Sequence, residues 1–466
     1  MREKPNVILI VLDTARRDRF GCYGYDRPTT PTVDALAKQG MRAERMVANA
    51  PYTLPSHASL FSGLYPTEHG CHWTSGHQLR STVKLTMAEW FRSLGYETVC
   101  ATNNNLISNR TGLARGFDRY AARLDLERGF PRVARRVKKA LLGGDSGGSI
   151  TNRWLDKTLP AVKKPMFLFV NYLECHWAYA PPPSMVRRVG GPKFRPLEGL
   201  LYRLTVANRV GPWEAIARAN RRKLDIYSAL YDAELAGVDR HVAHLLDTLR
   251  SSGHMVDGET IVMVTSDHGE HIGEHGLADH HASLGGRLID VPFVAWGPGL
   301  IPTGAPSETY ELVDVLPSLA ALMGEELPVD YLDDRRKSLF TGDRSSESDY
   351  GFAEWRSWHD WELGRLSQRN PSFDFTGLDR DLVSVRDKAH RLIRTSDGAQ
   401  ELFNLGDDPS EDHDVATSQP EILARLSTEL DARVTSWEKW EKDEPEPLSQ
   451  EDKAEIEKHL TALGYI

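Results

Sequence analysis

Four residues spread over more than half of the chain have the types that metal-assisted ester cleavage needs: Asp13, Thr53, Asp267 and His268. A threonine hydroxyl is a poor nucleophile until something lowers its pKa, and a bound cation does so. Asp13, Asp267 and His268 can hold that cation, because carboxylates with an imidazole suit hard to borderline divalent ions. Pro55 lies two residues after Thr53, which stops a helix from extending backwards and places Thr53 at its N-terminus. Free N–H groups and the helix dipole favour an anion there. Taken singly, each signal is weak. A lone aspartate after an apolar run is more often a helix cap than a ligand, and a threonine at a helix start is itself a good cap.

The elements that must carry these residues can be read from the apolar runs. Val7 to Leu12 is continuous, rich in β-branched residues and ends at Asp13, the pattern of a strand buried on both faces of a parallel sheet. Tyr96 to Ala101, Met166 to Leu173 and Thr260 to Thr265 repeat it and run into Asn103-Asn104-Asn105, into Glu174 and His176, and into Ser266-Asp267-His268. Polar clusters at the carboxyl ends of strands are where open α/β sheets build their sites. Leu85, Trp90, Phe91 and Leu94 mark a helix stopped by Gly95, and a second is expected from about Tyr227 to Arg250. From 110 to 223 the rhythm breaks, and part of that stretch reads as insertion. Within it Phe130, Val133, Val137 and Leu141 have helical spacing among arginines and lysines, a helix docked on the domain or a surface for acidic polymers. A boundary is expected between about 325 and 350. Beyond it Ser418-Gln419-Pro420-Glu421 opens a helix with Ile422, Leu426, Leu430 and Val434 on one stripe, and the acidic Trp437 to Glu451 stretch reads as a solvated connector.

Composition excludes several classes. With 466 residues, 40% hydrophobic and 26% charged, the chain can bury a large core, so one large and one smaller unit are expected. A net charge of -9 argues against nucleic acid as a structural partner held by overall electrostatics. Four cysteines without a Cys-x-x-Cys pair suggest neither a zinc knuckle nor a disulfide framework, and fit a reducing, cytoplasmic setting. No stretch reaches the roughly 18 to 20 apolar residues of a membrane span.

Read in order, Asn6 to Asp13, Thr53 to Gly63, Asp267-His268-Gly269 with Gly273-Glu274-His275-Gly276, and Val291-Pro292-Phe293 resemble the signatures of the sulfatases, a branch of the alkaline phosphatase superfamily. Glu401 to Leu405, Asp407 to Glu411 and the final Leu463 to Ile466 resemble the end of the sulfatase C-terminal subdomain, so nearly the whole chain is covered. The resemblance implies an α/β fold with a mostly parallel central sheet flanked by helices. Its catalytic domain would span 1–325, and a smaller α+β subdomain would span 326–466.

The departures from that pattern set the chemistry. Sulfatases carry a cysteine, matured to formylglycine, where this chain has Thr53, and an arginine where it has His57. They also carry a second aspartate at Thr14, a Lys-x-x-His near Asn103 to Leu106, and a lysine at His280; the histidine at His176 is retained. Thr53 to Gly70 instead resembles the nucleotide pyrophosphatase/phosphodiesterase branch, which uses a threonine nucleophile. That branch holds two zinc ions, and its additional Asp-x-x-x-His ligand motif is not found here, which counts against a two-metal site. A single-metal threonine site resembles the lipoteichoic acid synthase type of phosphoglycerol transferase.

The resemblance implies Asp13, Asp267, His268 and Thr53 as metal ligands and Thr53 as nucleophile. His176 and His280 would contact the ester oxygens or protonate the leaving group, and His57 would bind the anion or hold the helix. His281, Asn103, Asn104 and Asn105 would support them. Mn²⁺ or Zn²⁺ is favoured over Mg²⁺ because His268 supplies nitrogen, while Ca²⁺ suits a more oxygen-rich site. The expected function is hydrolysis of an anionic ester, a phosphodiester or phosphonate monoester, through a covalent Thr53 intermediate. Alternatives are a sulfatase acting without formylglycine, a transferase to a sugar or lipid alcohol, and a non-catalytic binder of an anionic ligand.

Overall fold

The computed structural model describes residues 4–72, 78–122, 144–189, 196–206, 210–329, 338–340 and 349–438. The basic segment around Phe130 to Leu141 and nearly all of the Trp437 to Glu451 stretch lie outside them.

Seven strands form the central sheet, in the order Met41–Arg42, Phe293–Trp296, Thr260–Thr265, Asn6–Leu12, Met166–Tyr172, Glu97–Thr102, Arg119–Ala122. The five from Thr260–Thr265 to Arg119–Ala122 are parallel; Phe293–Trp296 and Met41–Arg42 close the other edge with antiparallel pairings. Asn6–Leu12 lies at the middle with all seven residues buried, as its unbroken apolar run requires. Its register sets Leu12 beside Tyr172 and Val11 beside Thr265, so the three central strands end at one level. Asp13 and Asp267 therefore emerge as neighbours although 254 positions separate them.

The helices grip these tips. Arg221–Ser251, capped by Asn220, begins six residues before the expected start. Tyr231 on it donates its hydroxyl proton to Thr14 O at 2.7 Å and accepts the Arg16 N–H at 2.8 Å, tying the helix to the chain just past the first strand. Thr53–Ser62 follows the extended Tyr52, is buried along its whole length and stops at Gly63, whose φ of 71° is open to glycine at little cost. The segment 110–223 is only partly insertion: it supplies Arg119–Ala122 and Met166–Tyr172 to the sheet and adds the helices Gly148–Thr158, Pro183–Val189, Pro196–Thr205 and Pro212–Ala217.

After the helix Val315–Met323, the next described strand is Gly351–Trp355, within a four-stranded antiparallel sheet completed by Leu382–Arg386, His390–Thr395 and Gln400–Asn404. The helix Pro420–Glu438 lays Leu426 and Leu430, one turn apart, against Val385, Leu392 and Leu402. Each fully buried leucine contributes about 2 kcal/mol. Tyr65 and Val313, which lie outside the four-stranded sheet, complete this second core. No described helix is long and apolar enough to cross a membrane.

Candidate active site

Asp13, Thr53, Asp267 and His268 meet at the strand tips, all completely buried. Asn104 and Asn171 donate side-chain N–H bonds of 3.0 and 3.3 Å to Asp13 Oδ2, while Asp13 Oδ1 has no hydrogen-bond partner. Thr14 N and His268 N donate to Asp267 Oδ1 at 3.2 and 2.9 Å, and Asp267 Oδ2 likewise lacks a hydrogen bond. Thr14 can aim its N–H this way because it adopts φ 59°, a left-handed conformation unusual for a β-branched residue. His268 donates Nδ1–H to Gly269 O at 2.9 Å, which leaves Nε2 as an acceptor 3.4 Å from Thr53 Oγ1.

The electrostatics are those of a site short of positive charge. Burial, and then the charge of Asp267, push the Asp13 carboxyl up to about 7; burial does the same to Asp267. Burial lowers His268 to about 4 and His57 to about 3. Two buried carboxylates, each with one oxygen unbonded, and an imidazole with its Nε2 presented, place three donor atoms within 4.8 Å of one another. That set fits a divalent cation, with Thr53 Oγ1 beside it.

Ser56 donates its hydroxyl to Asp267 O at 2.6 Å and so fastens the nucleophile helix to the tip. His57 sits one turn behind Thr53, with Nδ1 2.9 Å from Thr53 O and 3.4 Å from Asp267 Oδ2. In that place it holds the first turn of the helix, and as a neutral ring it does not replace the cationic charge of an arginine. His176 donates Nδ1–H to Trp177 O at 2.5 Å and packs its edge on His280 at 5.3 Å. The His280 ring is 4.4 Å from that of His268, and its Nδ1 is 2.7 Å from Asp279 Oδ1. Tyr52 stacks on His280 and tilts over His281, at 5.7 and 5.4 Å. Asn104 Nδ2 also reaches Thr53 Oγ1 at 3.4 Å, whereas Asn103 turns to Thr151.

Three contributors escaped the sequence reading. Asn171 is the polar residue in an otherwise apolar buried strand, which was a usable signal. Asp279 stands next to His280 and could have been noted with it. Tyr52 gave no signal, since its stacking depends on how two distant loops meet.

Residues 5–325 match the sulfatase family model. Among curated relatives, a Delta 4,5-hexuronate-2-O-sulfatase of Bacteroides thetaiotaomicron is 23% identical, over 93% of this chain and 89% of its own length. The steryl-sulfatase of Mus musculus is 28% identical over 75% of this chain and 67% of its own. Among solved structures, the phosphonate monoester hydrolase of Agrobacterium radiobacter aligns with a TM-score of 0.71 at 19% identity, covering 96% of this chain and 100% of that one. A 2-O GAG sulfatase aligns with a TM-score of 0.70 at 20% identity, covering 94% and 93%.

Proposed function

The chain belongs to the sulfatase family and is an ester hydrolase, and we propose that it cleaves phosphorus esters, a phosphodiester or phosphonate monoester, through a covalent bond to Thr53. The observation that carries this reading is the position of Thr53 Oγ1: at the buried N-terminus of its helix, 3.4 Å from His268 Nε2 and from Asn104 Nδ2, beside the donors of Asp13 and Asp267. A formylglycine hydrate sheds sulfate by collapsing to the aldehyde, a route closed to a threonine. A phosphothreonine has another way out, because water can attack at phosphorus.

Asp13, Asp267, His268 and Thr53 would hold the divalent cation. When bound, it supplies charge that lowers the hydroxyl pKa and neutralises the ester oxygens. In the first step Thr53 Oγ bonds to phosphorus as the bond to the leaving alkoxide breaks, and the hydroxyl proton ends on that alkoxide. In the second, water replaces Thr53 at phosphorus and returns the proton to Oγ. His176, with Nδ1 tied to Trp177 O, and His280, against which it packs, are the rings beside the site that would carry these protons. Asn104 Nδ2 points at Thr53 Oγ1 and steadies it as charge develops.

The sulfatase reading has its own support, since the curated relatives named above are sulfatases. Turnover of paired aryl sulfate, phosphodiester and phosphonate monoester substrates by metal-supplied protein separates the two. Cleavage of the phosphorus esters, lost in Thr53→Ala and accompanied by a phosphothreonine adduct in intact-mass spectra of quenched wild type, is the expected result. Sulfate cleavage alone would sink the phosphorus reading.

A further inference from the structure

A second donor set stands against the first. Asp279, His280 and His281 are buried and offer one oxygen and two nitrogens within 4.8 Å of one another. Consecutive side chains in extended backbone point to opposite sides. Here Asp279 and Ala282 adopt left-handed backbone, with φ of 65° and 56°, and the rings of His280 and His281 stack 4.6 Å apart. Their Nδ1 atoms consequently lie 2.7 and 3.6 Å from the two oxygens of one carboxylate, Asp279. The contact of His280 with His268 puts this set one ring away from the donors of Asp13 and Asp267.

Charge points the same way. The described segments that build the site, 5–15, 51–72, 96–109, 165–186 and 260–286, contain no lysine or arginine. Yet the two donor sets bring together three carboxylates, those of Asp13, Asp267 and Asp279. A monoanionic ester entering the site adds a fourth negative charge. One divalent cation offsets only half of that, and two offset all of it. Buried charge without a partner costs several kcal/mol per ion, so the deficit has to be met.

We propose that Asp279, His280 and His281 bind a second divalent cation, adjacent to the one held by Asp13, Asp267 and His268. Two imidazole nitrogens and one carboxylate oxygen select a borderline ion of the Zn²⁺ type over Ca²⁺ or Mg²⁺. The second site replaces the missing cationic side chains with a metal. It does not depend on whether the ester is one of phosphorus or of sulfur.

The test counts metal. The full chain is stripped with chelator and titrated with Co²⁺, followed by the visible absorption of the protein-bound ion, and the zinc content of Zn²⁺-loaded protein is measured by mass spectrometry after removal of free ion. Wild type should saturate at two ions per chain. Asp279→Asn and His281→Gln should each retain one, and so should Asp13→Asn, with far-UV circular dichroism unchanged. Saturation of wild type at one ion overturns the proposal whether or not any variant folds, and so does an Asp279→Asn protein that still binds two. Neither count bears on the phosphorus reading, which stands or falls on the substrate panel.

Discussion

Two regions of this molecule enclose carboxylates and treat them in opposite ways. At the junction where the strand Asp290–Val291, part of a separate three-stranded sheet, meets the four-stranded sheet, Asp290 accepts bonds of 2.7 Å from Arg386 and 2.8 Å from Arg391. Arg391 also donates to Glu411 Oε1 at 2.6 Å, and Glu411 Oε2 accepts the Gly286 N–H at 2.7 Å. Burial pushes the Asp290 carboxyl up, but the two guanidinium groups more than reverse it and hold it well below the usual carboxylate range. At the strand tips, Asp13 and Asp267 have only neutral donors and are driven up to about 7. The junction balances its charges with its own side chains and so contributes to the fold. The strand tips leave the balance to be completed by what binds there, a division expected where function competes with stability.

The sharpest way to break this contrast is Thr53→Ala, which removes a reacting atom without touching either set of carboxylates. Turnover should fall roughly 10³-fold or more, with the thermal midpoint almost unchanged. Retained turnover with full stability would remove Thr53 from the chemistry. Next in size is Arg391→Met at the junction. It leaves Asp290 with Arg386 alone and Glu411, buried at the junction, with only the Gly286 N–H, and breaking a buried pair in this way costs about 3 to 5 kcal/mol. Urea unfolding should show that loss equally with and without metal. A loss that appears only in the metal-loaded protein would mean that the junction and the site are one coupled unit.

What could be read beforehand follows the same division. Asn6–Leu12 and Thr260–Thr265 were legible because a strand covered on both faces needs an unbroken apolar run, and Asp13 and Asp267 follow from where those runs stop. The start of Arg221–Ser251 was not, because its first turns are charged and only Asn220, donating no periodicity of its own, caps it. Asn171 becomes a partner of Asp13 only through the register that sets it beside Val11 and Thr102. Glu401 to Leu405 resembled part of a sulfatase C-terminal subdomain, without a strand being read there; the structure has the strand Gln400–Asn404, and nothing local foretold that Arg391 on the adjacent strand would reach Asp290. Runs and caps are local properties of a chain, whereas ion pairs across 101 positions are properties of the assembled sheet order.

Glu354 is intermediate between the two regions and sharpens the comparison. It is buried at the junction, but accepts from Thr67 N and Thr67 Oγ1 at 2.8 and 2.5 Å, and burial raises it from 4.5 to about 7. A carboxyl whose folded value is raised holds its proton more tightly in the native state. Its effect on stability is therefore absent below the unfolded value near 4.5, and stability is lost as pH rises from there to about 7. The full span corresponds to about 3 kcal/mol at most. Glu354→Gln keeps an acceptor for Thr67 and has no proton to lose, so the variant should gain on wild type across that window. Parallel stability curves from pH 4.5 to 7.5 would show that Glu354 is not held neutral.

The smallest expected effect carries the opposite sign to Arg391→Met. In the metal-free protein Asp13 is a buried carboxylate facing another, with Oδ1 unbonded, so Asp13→Asn should relieve repulsion and raise stability by about 1 to 2 kcal/mol. The same change removes an anionic ligand from one of the two donor sets, so it should weaken metal uptake there and lessen the stabilisation that added Zn²⁺ gives wild type. Calorimetry of both proteins with and without Zn²⁺ tests the pair of effects together. A variant less stable than wild type when both are metal-free would show that Asp13 is balanced within the fold, as Asp290 is, and the contrast between the two regions would collapse. A gain without metal and a deficit with it would mean that this carboxylate is kept, against the interest of the empty fold, for the cation it holds.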